Sequence, residues 1–189
     1  MMLEKEMLKL LKQMISEDRL NHSLGVRDTA IELAKIYEID LKKARIAGLL
    51  HDCAKGLSNN NLLKKAEKFG IVIDGVTIIV PPLLHGPVGA EFAKRKFKIN
   101  DEEILNAIRI HTLGSEEMTS LEKIIFLADY IEPNRKCSGL DKLRKIARSN
   151  LDLAVRKACD RTLKFHLDNH DVIHPQTLAT RNAFLRKGG

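Results

Sequence analysis

Apolar residues recur at helical spacing along almost the whole chain, and most of these runs start behind a residue suited to cap a helix. Leu3, Met7, Leu10, Leu11 and Met14 share one helical face. Asp18 stands ahead of Leu20, Leu24, Ala30, Ile31, Ala34 and Tyr37, and Asp40 ahead of a run from Leu41 to about Asp52. Ser58 opens a fourth segment that Gly70 closes. Pro87 suits the first turn of a helix reaching about Lys96. Asn100-Asp101-Glu102-Glu103 is a capped, acidic start for Ile104, Ala107, Ile108 and His111. Thr119 and Glu122 form a capping box ahead of Leu121, Ile124, Ile125 and Ala128, and that helix must end before Pro133. Further segments run from Leu140 to Ala147, from Leu151 to Leu167, and onward from Pro175. Residues 71–83 are β-branched but broken by Pro81-Pro82, and read as a loop or short extended piece, not a sheet strand. The pattern predicts an all-α helical bundle in a single domain, with about eight to ten helices at usual lengths. Residues 1–17 are expected as an N-terminal helix packed on the domain formed by residues 18–189.

Composition narrows the function classes. With 44% hydrophobic residues in 189, the chain is too apolar for a disordered protein and long enough to bury a core. It has no run of about 18 apolar residues, so no membrane-spanning helix and no membrane partner are expected. The start Met1-Met2-Leu3-Glu4-Lys5-Glu6 mixes charges and does not read as a secretory signal. Cys53, Cys137 and Cys159 are odd in number and widely spaced, which fits a reducing cytoplasm. The net charge of +7 points to an anionic partner. Aromatic residues are only 4%, which speaks against stacking a single strand of bases, so nucleic acid is not the expected partner.

Several acidic and imidazole side chains fall at the ends of apolar elements. His51-Asp52 closes the run Ile46-Ala47-Gly48-Leu49-Leu50, which places the pair at a cleft edge. His22 starts a helix backed by Val26, Ala30, Leu33 and Ala34. Asp129 lies four residues after Ile125 beside a buried face, where a carboxylate needs a cation or donors. His85 precedes Gly86-Pro87 at a loop-to-helix turn, and His111 ends a helix. Imidazole and carboxylate together are ligands for divalent Zn, Mn or Fe. Taken singly, each has a plainer role as a cap, a surface charge or a core histidine.

In order, His22, His51-Asp52, His85, His111 and Asp129 resemble the H…HD…D pattern of the HD-domain metal-dependent phosphohydrolases, which are all-helical bundles. The runs 22–30, 47–55, 84–89, 108–112, 127–135 and 173–177 are similar to one bacterial branch, the YqeK-type symmetrical bis(5′-nucleosyl)-tetraphosphatases. The six ordered blocks fall within a match that spans residues 22 to 185, nearly the whole chain. Asn134 and Cys53 depart from the usual family choices, but neither is an expected ligand.

The resemblance implies roles residue by residue. His22, His51, Asp52 and Asp129 would bind the metal: one divalent ion, iron by family likeness with Mn or Zn as alternatives, or two ions if His85 and His111 also ligate. Asp52, His85 and His111 would be catalytic. His22, Lys55, His85, His111, Thr112, Asp129 and Arg135 would meet substrate. The segment Val172, Ile173, His174, Pro175, Gln176 and Thr177 would face the nucleoside. The implied reaction is hydrolysis of diadenosine tetraphosphate by metal-activated water to two ADP. Dinucleoside polyphosphate and ADP are therefore the expected partners, and a homodimer is left open. Two alternatives stand: another HD-type nucleotide phosphohydrolase, such as a nucleotidase or phosphodiesterase, and a non-catalytic nucleotide- or nucleic-acid-binding module.

Overall fold

A computed structural model describes residues 2–136 and 138–187; Met1, Cys137, Gly188 and Gly189 lie outside the described residues. The chain runs through α1 (Glu4–Leu11), α2 (Glu17–Ile36), α3 (Leu41–Leu50), α4 (Asn59–Phe69), α5 (Gly75–Ile79), a 3-10 turn (Pro81–Leu84), α6 (His85–Lys96), α7 (Glu102–Ile110), α8 (Ser120–Ile131), α9 (Leu140–Ala147), α10 (Leu151–Asp168) and α11 (Pro175–Lys187). No strand occurs among the described residues, and none of their helices is long and apolar enough to cross a membrane.

The caps explain most boundaries. Asp40, Ser58, Asp101, Thr119 and Asn150 each accept a backbone N–H from the first turn that follows. Two expectations need correction. The cap of α2 is Ser16, whose Oγ accepts from the Arg19 N–H, while Asp18 sits inside the first turn. Its carboxylate there favours the positive end of the helix dipole without capping it. Residues 71–83 contain a helix as well as loop. The Asp74 carboxylate accepts from the N–H groups of Val76 and Thr77 at 2.8 Å, and the Thr77 hydroxyl accepts from the Asp74 N–H at 2.8 Å. That reciprocal box nucleates α5 despite its β-branched sequence. It also brings the α-helices among the described residues to eleven, one above the expected range.

The core is one continuous cluster with α8 at its centre. Leu121, Ile124, Ile125, Leu127 and Ala128 are all buried, and α2, α3, α7 and α10 pack against them. Such all-round burial follows from a helix with few charges on any face. From α1, Met7 and Leu11 enter the same core. The α2–α3 approach depends on Gly48: a Cβ there would stand 2.9 Å from the Arg27 Cα. That close contact fixes His51, one turn later, against the His22 side of α2.

Candidate active site

Five elements deliver side chains to one cleft. Arg19 and His22 lie one turn apart on α2. His51 caps the C-terminus of α3, and Asp52 with Lys55 follows in a tight turn closed by Lys55 N–H to Asp52 O at 2.9 Å. His85 begins α6, His111 ends α7, and Asp129 comes from the last turn of α8. All four imidazoles and Asp52 are buried; the Asp129 side chain is 23% exposed.

The imidazoles share one orientation. Nδ1 of His51 faces the Gly48 carbonyl at 2.8 Å, Nδ1 of His85 the Pro82 carbonyl at 2.5 Å, and Nδ1 of His111 the Ile108 carbonyl at 2.7 Å. A carbonyl oxygen can only accept, so each Nδ1 carries a hydrogen and each Nε2 is the atom open to a further proton or a metal ion. Nδ1 of His22 meets the Glu132 carboxylate at 3.1 Å instead. The Nε2 atoms then converge: His22 to His51 at 3.3 Å, and His85 to His111 at 3.0 Å. The carboxylates close the ring. Asp129 lies 2.9 Å from His22 Nε2 and 3.7 Å from His51 Nε2. Asp52 reaches His85 at 3.1 Å, His51 at 3.5 Å, His111 at 3.7 Å and His22 at 3.8 Å.

Facing imidazole nitrogens beside two carboxylates, that of Asp52 buried and that of Asp129 largely so, need a cation. Burial works against charge on His51, yet Asp52 and Asp129 hold its pKa up at about 10. Burial likewise opposes ionisation of both aspartates. Asp52 is nevertheless held well below the usual carboxylate range by His51, His111 and His85, and Asp129 by His22, His51 and His111. The proton on His51 fills the role that a metal ion would take. His22, His51 and Asp129 bring ligand atoms within 4.8 Å of one another, and so do His51, Asp52 and His111. This mixed imidazole and carboxylate donor set fits a divalent metal ion.

The model for the HD domain matches residues 19–134, more than half of the chain. Full-length relatives narrow the assignment. A symmetrical bis(5′-nucleosyl)-tetraphosphatase from Halalkalibacterium halodurans is 41% identical, with 94% of this chain and 95% of that one covered. Its namesake from Bacillus subtilis is 39% identical at the same coverage. The chain belongs to this HD-domain family. A solved structure from Clostridium acetobutylicum, described as an HD superfamily hydrolase involved in NAD metabolism, superposes on the HD-domain chain with a TM-score of 0.96. It is 42% identical and covers 99% of each chain.

Around this HD-domain centre, the other expected residues fall into two groups. Lys55 Nζ is 3.4 Å from His85 Nδ1, and the Thr112 hydroxyl lies 3.2 and 3.3 Å from the Nε2 atoms of His85 and His111. Arg135 donates to Asp129 Oδ1 at 2.8 Å. The side-chain bonds of the 172–177 segment run to α5 and α11. His174 Nδ1 accepts the Gln176 N–H at 3.0 Å, so its Nε2–H donates to Asp74 at 2.9 Å. Gln176 meets Thr180, whose hydroxyl donates to the Leu113 carbonyl at 3.0 Å, tying α11 to the end of α7.

Sequence reasoning missed two residues. Arg19 Nη1 pairs with Asp52 Oδ2 at 2.9 Å; its spacing of three from His22 was the available signal. Glu132 is 1% exposed and holds His22 Nδ1, while its other oxygen accepts the Asn134 N–H at 2.7 Å. Its signal was faint, because position 132 reads as a helix end ahead of Pro133. Gly25 makes the room: a Cβ there would stand 2.5 Å from Glu132 Oε2.

Proposed function

We propose that this HD-domain protein hydrolyses diadenosine tetraphosphate symmetrically, releasing two ADP. The observation that carries the reading is the convergence of four imidazole Nε2 atoms on two ionised aspartates. The activity named for relatives about 40% identical over almost the full chain supports it. Iron is the proposed ion, by likeness to the family.

A bound divalent ion supplies an acidified water and withdraws charge from a phosphoryl group. The chain's own residues do the rest. Asp52 sits within 3.8 Å of all four imidazoles and of Arg19, so it sets the charge of the whole centre. His85 is held below its ordinary pKa mainly by burial, which favours the neutral imidazole against the pull of Asp52. Its Nε2 lone pair can accept a proton or face one shared with His111. Lys55, Thr112 and Arg135 ring this centre with donors suited to phosphate oxygens. A symmetrical cut requires the central anhydride to lie at the cluster, with one ADP held on each side.

Purified protein should contain a stoichiometric divalent metal, and elemental analysis should find iron. Incubation with diadenosine tetraphosphate should yield ADP alone. Formation of ATP and AMP would refute the symmetrical cut, and full activity in metal-stripped protein would refute the metal centre.

A further inference from the structure

Beyond Arg135 a cavity of about 450 Å³ opens between the end of α8 and the C-terminal half of α10. Its walls carry Tyr130, Arg135, Arg161, Lys164, Phe165 and Asp168. Arg135 belongs to both places, since it also donates to Asp129 in the metal cluster. Arg161, Lys164, Phe165 and Asp168 follow one another at helical spacing, so α10 presents them on one face.

The lining has the chemistry of a nucleotide. Tyr130 and Phe165 are two of only 2 Tyr and 6 Phe in the chain, and the Phe165 ring is left 60% exposed. Arg161 donates through Nη2 to the Ser138 carbonyl at 2.7 Å, while its buried Nε has no partner among the described residues. Lys164 meets Asp168, one turn on, at about 3 Å, and its side chain is 77% exposed. Positive charge continues outward. An adjoining cavity of about 310 Å³ shares Arg161 and Lys164 and adds Lys142 and Lys157. The volume lies in the range of small-molecule sites.

We infer that this cavity holds the second nucleotide half of the dinucleoside tetraphosphate. The inference rests on the hydrolase reading above. A substrate cut at its centre extends two equal halves away from the metal cluster. One half is assigned by family resemblance to the 172–177 segment, which the Thr180–Leu113 bond ties to the Thr112 side of the cleft. The other half leaves past Arg135. Its base stacks on Phe165 across from Tyr130, its phosphates meet Arg135 and Arg161, and its ribose hydroxyls donate to Asp168.

The test compares a two-nucleoside probe with a one-nucleoside probe on the metal-loaded protein. Adenosine 5′-tetraphosphate, read as a substrate or as a competitive inhibitor, needs one base site; diadenosine tetraphosphate needs two. Phe165→Ala should raise KM for diadenosine tetraphosphate about tenfold with kcat unchanged. It should leave the constant for adenosine tetraphosphate where it was, and Phe165→Tyr should restore the wild-type KM. Lys164→Glu should shift KM in the same direction. An unchanged KM in Phe165→Ala overturns the assignment. Equal shifts for both probes overturn it too, because the cavity would then serve the first half. Wild-type protein that makes no ADP from diadenosine tetraphosphate would overturn the hydrolase reading itself and this inference with it, an outcome visible before any variant is made.

Discussion

His22 with His51 and His85 with His111 are two pairs of the same residue in one cleft, each with Nε2 atoms about 3 Å apart. Their surroundings differ. The first pair meets both Asp129 and Asp52, and Glu132 holds the far nitrogen of His22. The second pair meets Asp52 alone; a lysine and a threonine hydroxyl replace the second carboxylate. Carboxylates behind and beside imidazole make a strong cation ligand. Lysine and hydroxyl beside imidazole suit an oxyanion. The contrast teaches that residue type decides little here, and that the second neighbour supports the proposal of an ion at the first pair and phosphate at the second.

Removing the group common to both ends should have the largest effect. Asp52→Ala should abolish bound metal and ADP production together, read by elemental analysis and product chromatography. Asp52→Asn, equal in size, should do the same while keeping the fold, checked by circular dichroism. Retained metal with lost turnover would divide the roles differently, leaving Asp52 to the phosphate end alone.

Glu132→Gln strikes the ion end without touching an expected ligand. It keeps the size of the side chain but removes the charge behind His22. Metal affinity should fall about 10- to 100-fold in chelator competition. Activity at saturating metal should largely return. No equivalent change is available at the other end, where Pro82 and Ile108 offer backbone carbonyls.

Lys55→Met should show the opposite pattern. Metal content should stay at the wild-type level while kcat/KM falls about tenfold, the size of one charged hydrogen bond to phosphate. Lost metal in Lys55→Met, or unaltered metal affinity in Glu132→Gln, would break the division between the ends.

The legibility of these parts in the sequence follows from the range of the interactions. Cap residues and apolar spacing act within a turn, so α3, α4, α8 and α9 were readable from their own segments. The α5 box escaped because β-branched residues suggested an extended chain, while Asp74 and Thr77 outweighed them locally. His22, His51-Asp52 and Asp129 gained meaning only from their order along the chain, since each alone is commonplace. Arg19 and Glu132 were missed for a different reason. Their partners lie 33 and 110 residues away, and a spacing of three from His22 or a place ahead of Pro133 is too common to mark a side chain that supports another.

The smallest effect should come furthest from the cluster, at the bond between Asp74 and His174. Asp74 performs two tasks: one oxygen caps α5, and the other accepts from His174 Nε2–H. The Thr77 and Val76 N–H groups and His174 together lower its pKa to about 2, from 3.8 in an unfolded chain. Ionised Asp74 therefore stabilises the fold above about pH 4, and that contribution fades as pH falls through about 2. Asp74→Asn separates the tasks. Its amide oxygen can still cap α5, but the NH2 then faces the His174 N–H, donor against donor. The melting temperature of the variant should sit slightly below wild type at neutral pH, and the gap should close on acidification toward pH 2. If the 172–177 segment holds a nucleoside, freeing His174 should raise KM for diadenosine tetraphosphate a few-fold with kcat and metal content unchanged. A lower kcat would instead carry the influence of this outer bond through Thr180 and Leu113 into the His85–His111 end. The phosphate half of the cleft would then be one connected unit, and the ion half would stand apart from it.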